Sequence, residues 1–153
     1  MSHFQQSLII NATPAAAYAA LTTLEGLRGW WSQDTTGSPA AGGILHFRFD
    51  TAANKDMRVE QLKPEREVRW HCTRACIAVG ELARRDEWVG TEIVFRLTPE
   101  AGCTRLDFEH VGLTPELDCY EMCNRGWRYF LDSLHQFIET GCGTPHGRMA
   151  SAA

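Results

Sequence analysis

The amino-acid sequence predicts an α+β fold: a curved antiparallel β-sheet of about six strands wrapped around one long C-terminal α-helix. Short helical structure follows the first strand. Three observations predict it. Between residues 43 and 111, runs of alternating apolar and polar residues mark half-buried strands. Short turns join most of these runs, and strands joined by hairpins must be antiparallel. The segment from Leu117 to Ile138 instead carries apolar residues at helical spacing, and nothing else is long enough to cover one face of such a sheet.

The elements follow in chain order. Phe4 to Ile10 is a short apolar-rich run and reads as a strand. Thr13-Pro14 places a capping hydroxyl before a proline at the first helical position, so AAAYAALTTL starts as a helix, ended by Gly26. Trp30 and Trp31 follow, then a polar, glycine-rich loop. Leu45, Phe47 and Phe49 share one strand face; Met57 to Leu62 and Glu67 to Cys72 are the next strands, with Val68, Trp70 and Cys72 on one side. Residues 73–86 read as a long hairpin connection. Glu87 to Leu97 is the longest strand, and Thr104 to Val111 places Leu106, Phe108 and His110 together. Thr114-Pro115 repeats the helix-start signal, and the final helix runs from there to about Thr140, closed by Gly141.

The 153 residues are expected to form one domain over 1–141, with 142–153 as a flexible tail. A formal charge of -4 gives no basic face for nucleic acid. Thirteen of the 15 basic residues are Arg, only Lys55 and Lys63 being Lys, which reads as a habit of GC-rich genomes. The N-terminus lacks a signal-peptide pattern and no apolar run is long enough to span a membrane, so a cytoplasmic protein is expected. The six cysteines, including the C-x-x-x-C pairs Cys72/Cys76 and Cys119/Cys123, read as reduced packing thiols. No metal site, phosphate loop, G-x-G-x-x-G motif or hydrolytic triad is recognisable, so no cofactor and no metal are expected.

Three stretches carry a family resemblance: NATPAAAYAALTTLEGLRGWW, LKPEREVRW, and WVGTEIVFRLTPEAGCTRLDFEHVGL. They resemble the helix-grip fold of the START-like superfamily, also called Bet v 1-like or SRPBCC, over about residues 4–141. The last stretch, with the closing CYEMCNRGWRYFLDSLHQFIETGCG, is similar to bacterial members of the branch named after the activator of the heat-shock-protein-90 ATPase. The resemblance implies a cavity between sheet and long helix. It admits lipid carriers, hormone receptors, polyketide cyclases and co-chaperone domains, so function must come from the site itself.

Strand and helix parity supply a wall for that cavity: Phe47, Phe49, Trp70, Phe95 and Phe108 from strands, with His110 at the end of one inward face, and Tyr120, Asn124 and Trp127 from the helix. His110 and Tyr120 are the candidate catalytic groups. The bland alternatives are a locally satisfied histidine and a core tyrosine. Asp107 and Glu109 point away by strand alternation. Which of Trp30, Trp31 and Trp88 line the cavity is left open. Three functions compete. The first is a non-catalytic binder of a hydrophobic or aromatic small molecule. The second is a cyclase-like enzyme using His110 and Tyr120. The third is a chaperone-regulating interaction domain. A chaperone or a second copy of the chain would then be the protein partner.

Overall fold

In the computed structural model the described residues are 3–78, 82 and 84–147. Seven strands form one antiparallel sheet in the order β1-β7-β6-β5-β4-β3-β2, curved and unclosed. They are β1 (Phe4–Ile10), β2 (Asp34–Gly37), β3 (Ile44–Phe49), β4 (Ala53–Lys63), β5 (Glu67–Ile77), β6 (Glu92–Glu100) and β7 (Cys103–Val111). Helices α1 (Pro14–Thr22) and α2 (Leu24–Trp30) follow β1, and α3 (Tyr120–Thr140) ends the fold. Apart from one strand more than the alternation showed, this is the predicted architecture.

Strand parity sets the core. Leu45, Phe47, Val68, Trp70, Ile93, Phe95, Leu106 and Phe108 are all buried, and α3 answers them with Trp127, Leu131 and Leu134. The opposite face of the sheet is polar and ion-paired: Arg69 reaches Glu67 and Glu92, and Arg96 reaches Glu67 and Glu109. Asp107 accepts from the Ser7 hydroxyl at 2.6 Å on that outer face, as strand alternation requires. Register shifts in the β4–β5 ladder at Asp56/Met57 and Val59/Gln61 mark bulges, which increase local twist and help bend the sheet around α3.

The helix ends follow capping chemistry. Thr13 Oγ1 accepts from the Ala16 amide at 3.2 Å, and Thr23 Oγ1 accepts from the Gly26 amide at 2.9 Å. Gly26 is required by close approach: a Cβ there would lie 2.6 Å from the Ala20 carbonyl oxygen. Gly26→Ala is therefore expected to cost about 1–3 kcal/mol by forcing α1 and α2 apart, read as a lowered urea midpoint.

Several boundaries differ from the sequence reading. β2 lies in the polar loop after the tryptophans; of its residues only Thr35 is buried, so it carries no alternation to detect. β5 continues to Ile77, through part of the expected hairpin connection; residues 79–81 and 83 of that connection lie outside the described residues. β6 begins at Glu92, because Trp88 to Thr91 form a turn that the positive φ of Gly90, 89°, permits. α3 begins at Tyr120, six residues after Thr114. No side chain caps its first turn; the Glu87 carboxylate instead accepts from the Asp118 and Cys119 amides just before the helix, at 3.2 and 3.1 Å, and sits near its positive end. The start of the expected tail is docked: His146 donates its amide to the Trp31 carbonyl at 2.8 Å, and the Thr144 amide donates to Ser133 Oγ at 2.7 Å. Residues 148–153 lie outside the described residues.

Candidate functional site

One apolar cavity of about 200 Å³ opens between the sheet and α3. Its walls are Phe49 of β3, Ala53 and Lys55 of β4, Ile77 of β5, Trp31, Trp88 and His146 from connecting segments, and Met122, Cys123, Gly126, Trp127 and Phe130 of α3. The room comes from small residues. Gly126 stands in mid-helix, and a Cβ built on it would meet nothing within 4 Å. Ala52 and Ala53 leave matching space on the sheet side.

Of the nine residues expected to line the cavity, Phe49 and Trp127 do so. Phe47, Trp70, Phe95 and Phe108 face inward as expected but are sealed in the core, packed on one another with ring centroids 5.2–5.7 Å apart. Asn124 is displaced from the cavity: its side chain accepts from Arg128 Nε at 2.7 Å on the flank of α3. Tyr120 is half-buried on the same flank, outside the cavity lining.

His110 is completely buried and also lies outside the cavity lining. Trp127 Nε1 donates to its Nδ1 at 3.0 Å. That assigns the proton to Nε2, which donates to Thr91 Oγ1 at 2.8 Å; the Thr91 hydroxyl in turn donates to the Trp88 carbonyl at 2.6 Å. Burial, reinforced by the Lys55 charge and then by His3, pushes its pKa down to about 3. His110 is thus a neutral strut joining β7, α3 and the Trp88 turn.

The sequence reading gives no place in the cavity to its lysine, Lys55. It shares the inward parity of Met57 and Val59 and is only 9% exposed. Its Nζ lies 4.1 Å from the Trp88 ring centroid, 4.5 Å from Phe49 and 5.7 Å from Trp31. Three aromatic faces thus cradle one ammonium. Burial lowers its pKa to about 8, opposed by Cys123, Cys72 and Cys119.

The thiols are part of the same region. Cys72, Cys119 and Cys123 are buried and free of disulfides, as expected of packing cysteines. Cys123 also lines the cavity, and its Sγ accepts from Trp88 Nε1 at 3.2 Å. A hydrogen bond from the Cys119 thiol, followed by the Lys55 charge and the Trp88 N–H, holds Cys123 below the usual thiol range, while Cys119 is pushed up by the same bond and by burial. Among the described residues no cluster of three or more His, Cys, Asp or Glu is placed to hold a metal ion.

A curved, unclosed sheet gripping a C-terminal helix defines a helix-grip protein. The family model for Activator of Hsp90 ATPase homolog 1-like proteins matches residues 11–139, and the chain belongs to that family. It is similar to the Aha1 dimer from Colwellia psychrerythraea, at 33% identity and a TM-score of 0.77, over 94% of this chain and all of that one. Protein MLL2253 from Mesorhizobium loti shares the fold at 22% identity and a TM-score of 0.70, over 88% of this chain and 96% of that one. CalU16 from Micromonospora echinospora does so at 20% identity and a TM-score of 0.67, over 92% and 75%. No curated protein matches the chain. Among the described residues no helix is long and apolar enough to cross a membrane.

Proposed function

We propose that this protein binds a hydrophobic or aromatic small molecule in the cavity between sheet and α3, without transforming it, in the cytoplasm. The observation that carries the reading is the cavity itself: about 200 Å³ walled by Trp31, Phe49, Trp88, Met122, Trp127 and Phe130. An apolar concavity with few polar groups is the usual form of a small-molecule site. The cyclase-like alternative is weaker, because His110 and Tyr120 are both outside the cavity lining and His110 is held neutral on two hydrogen bonds. Family membership favours a second reading, a chaperone-regulating interaction domain. The described dimer of the Colwellia protein adds self-association to what that reading would require.

Native mass spectrometry of the purified protein tests the first reading. A discrete mass above that of the chain, released on denaturation, is the expected result. A bare chain that also fails to bind any apolar probe in ligand-observed NMR would overturn it. Pull-downs with a chaperone and sedimentation of the purified chain address the second.

A further inference from the structure

A lysine is an expensive residue to bury. Its ammonium is compact and strongly hydrated, and an apolar surrounding normally excludes it unless a carboxylate answers it. Among the described residues Lys55 has no such answer, since no carboxylate pairs with it. Of the thiols beside it, Cys72 and Cys119 are pushed up and stay neutral, and only Cys123 is held below its ordinary range. Its other neighbours are ring faces, which attract a cation but, among the described residues, leave its N–H donors without acceptors. Both the aromatic cradle and the ammonium belong to the cavity wall. The only lysine besides Lys55 is Lys63 at the end of β4, so the inward position is held by a residue type this chain otherwise avoids.

We propose that the cavity takes a small apolar carboxylic acid as its anion, with the carboxylate bound to the Lys55 ammonium and the apolar body against Trp31, Trp88 and Trp127. The proposal rests on the small-molecule reading above and adds the ligand's charge. A carboxylate supplies the acceptors that the ammonium lacks, and the surrounding rings exclude the water that would otherwise weaken the pair. The titratable groups facing Lys55 are Cys72 from β5, Cys119 and Cys123 at the start of α3, and His110 from β7; His146, paired with Asp50 at 2.9 Å, lines the cavity with it. Because burial lowers the Lys55 pKa to about 8 and the Cys123 thiol is held below its ordinary range, the site is cationic on the acid side of neutrality. The Cys123 thiolate offsets that charge around neutrality, and the ammonium itself is lost as pH rises past about 8.

The test uses matched pairs, benzoate, 3-phenylpropanoate and octanoate, each against its neutral primary amide. Binding is followed by ligand-observed NMR and calorimetry at pH 6.5. The expected result is that at least one acid binds about tenfold or more tightly than its amide. In Lys55→Met that preference should vanish while the amide still binds. Should Lys55→Met fail to fold, the wild-type protein decides: the acid-to-amide ratio should fall as pH is raised from 6.5 to 9.5. Equal binding of acids and amides to the wild type would overturn the charge assignment and leave the cavity reading standing. If neither acids nor amides bind, the charge assignment is overturned, and the cavity reading with it when native mass spectrometry also shows a bare chain.

Discussion

Replacing Trp31 with alanine is expected to cost about 3–5 kcal/mol, a large share of the roughly 5–15 kcal/mol that keeps such a domain folded. Trp31 is 2% exposed and forms the junction between sheet and helix. Its ring centroid lies 4.3 Å from Phe47, 5.1 Å from Trp127, 5.6 Å from Trp30 and 6.0 Å from Trp70. Among the described residues no other side chain joins α2, the middle of the sheet and α3 through stacked rings. Truncation removes a large apolar surface and leaves a void whose neighbours are themselves rigid rings, so little collapse can offset the loss. Urea unfolding followed by circular dichroism checks this. The midpoint should fall sharply for Trp31→Ala and by much less for Trp31→Phe. A loss below about 1 kcal/mol for Trp31→Ala would mean that the stack is not what joins the two layers. Because Trp31 also lines the cavity, the alanine variant should enlarge it toward the core.

The same stack explains what was legible in the sequence. Period-two alternation correctly turned Phe47, Trp70, Phe95 and Phe108 inward, because each strand has one wet and one dry face. Alternation says nothing about how far the inside is filled. Four large rings and Trp31 close that end of the interior, and the cavity lies where Ala52, Ala53 and Gly126 are small. A glycine inside a long helix costs about 1 kcal/mol relative to alanine, so Gly126 was the available signal for the cavity. Lys55 lies two residues before Met57, where the apolar alternation begins; the same parity carried back places it inside. Asn124 was misplaced for a geometric reason. It lies on the Tyr120–Asn124–Arg128 row, about 100° around the helix from the Cys123–Trp127–Leu131 row that meets the sheet.

Acid should unfold this protein partly through His110. In the unfolded chain a histidine takes up a proton near pH 6.5. In the folded chain it is held neutral until about pH 3. The reason is structural: Nδ1 accepts from Trp127 and Nε2 donates to Thr91, so a second ring proton would face the Trp127 N–H with nothing to receive it. A base whose folded pKa is lowered contributes stability that is complete above its unfolded value and is lost as pH falls. Below pH 6.5 the loss approaches about 1.4 kcal/mol per pH unit, or about 3 kcal/mol by pH 4. His110→Asn separates this from the carboxylates, since asparagine can still accept from Trp127 but cannot take a proton. At pH 7.5 the variant should be about 1–3 kcal/mol less stable than the wild type, because the Thr91 bond is lost. That gap should close as pH falls toward 4, measured by urea unfolding of both proteins at half-unit intervals. A gap that stays constant across the range would show that His110 takes up its proton in the folded protein, and would reopen its candidacy as an acid–base group.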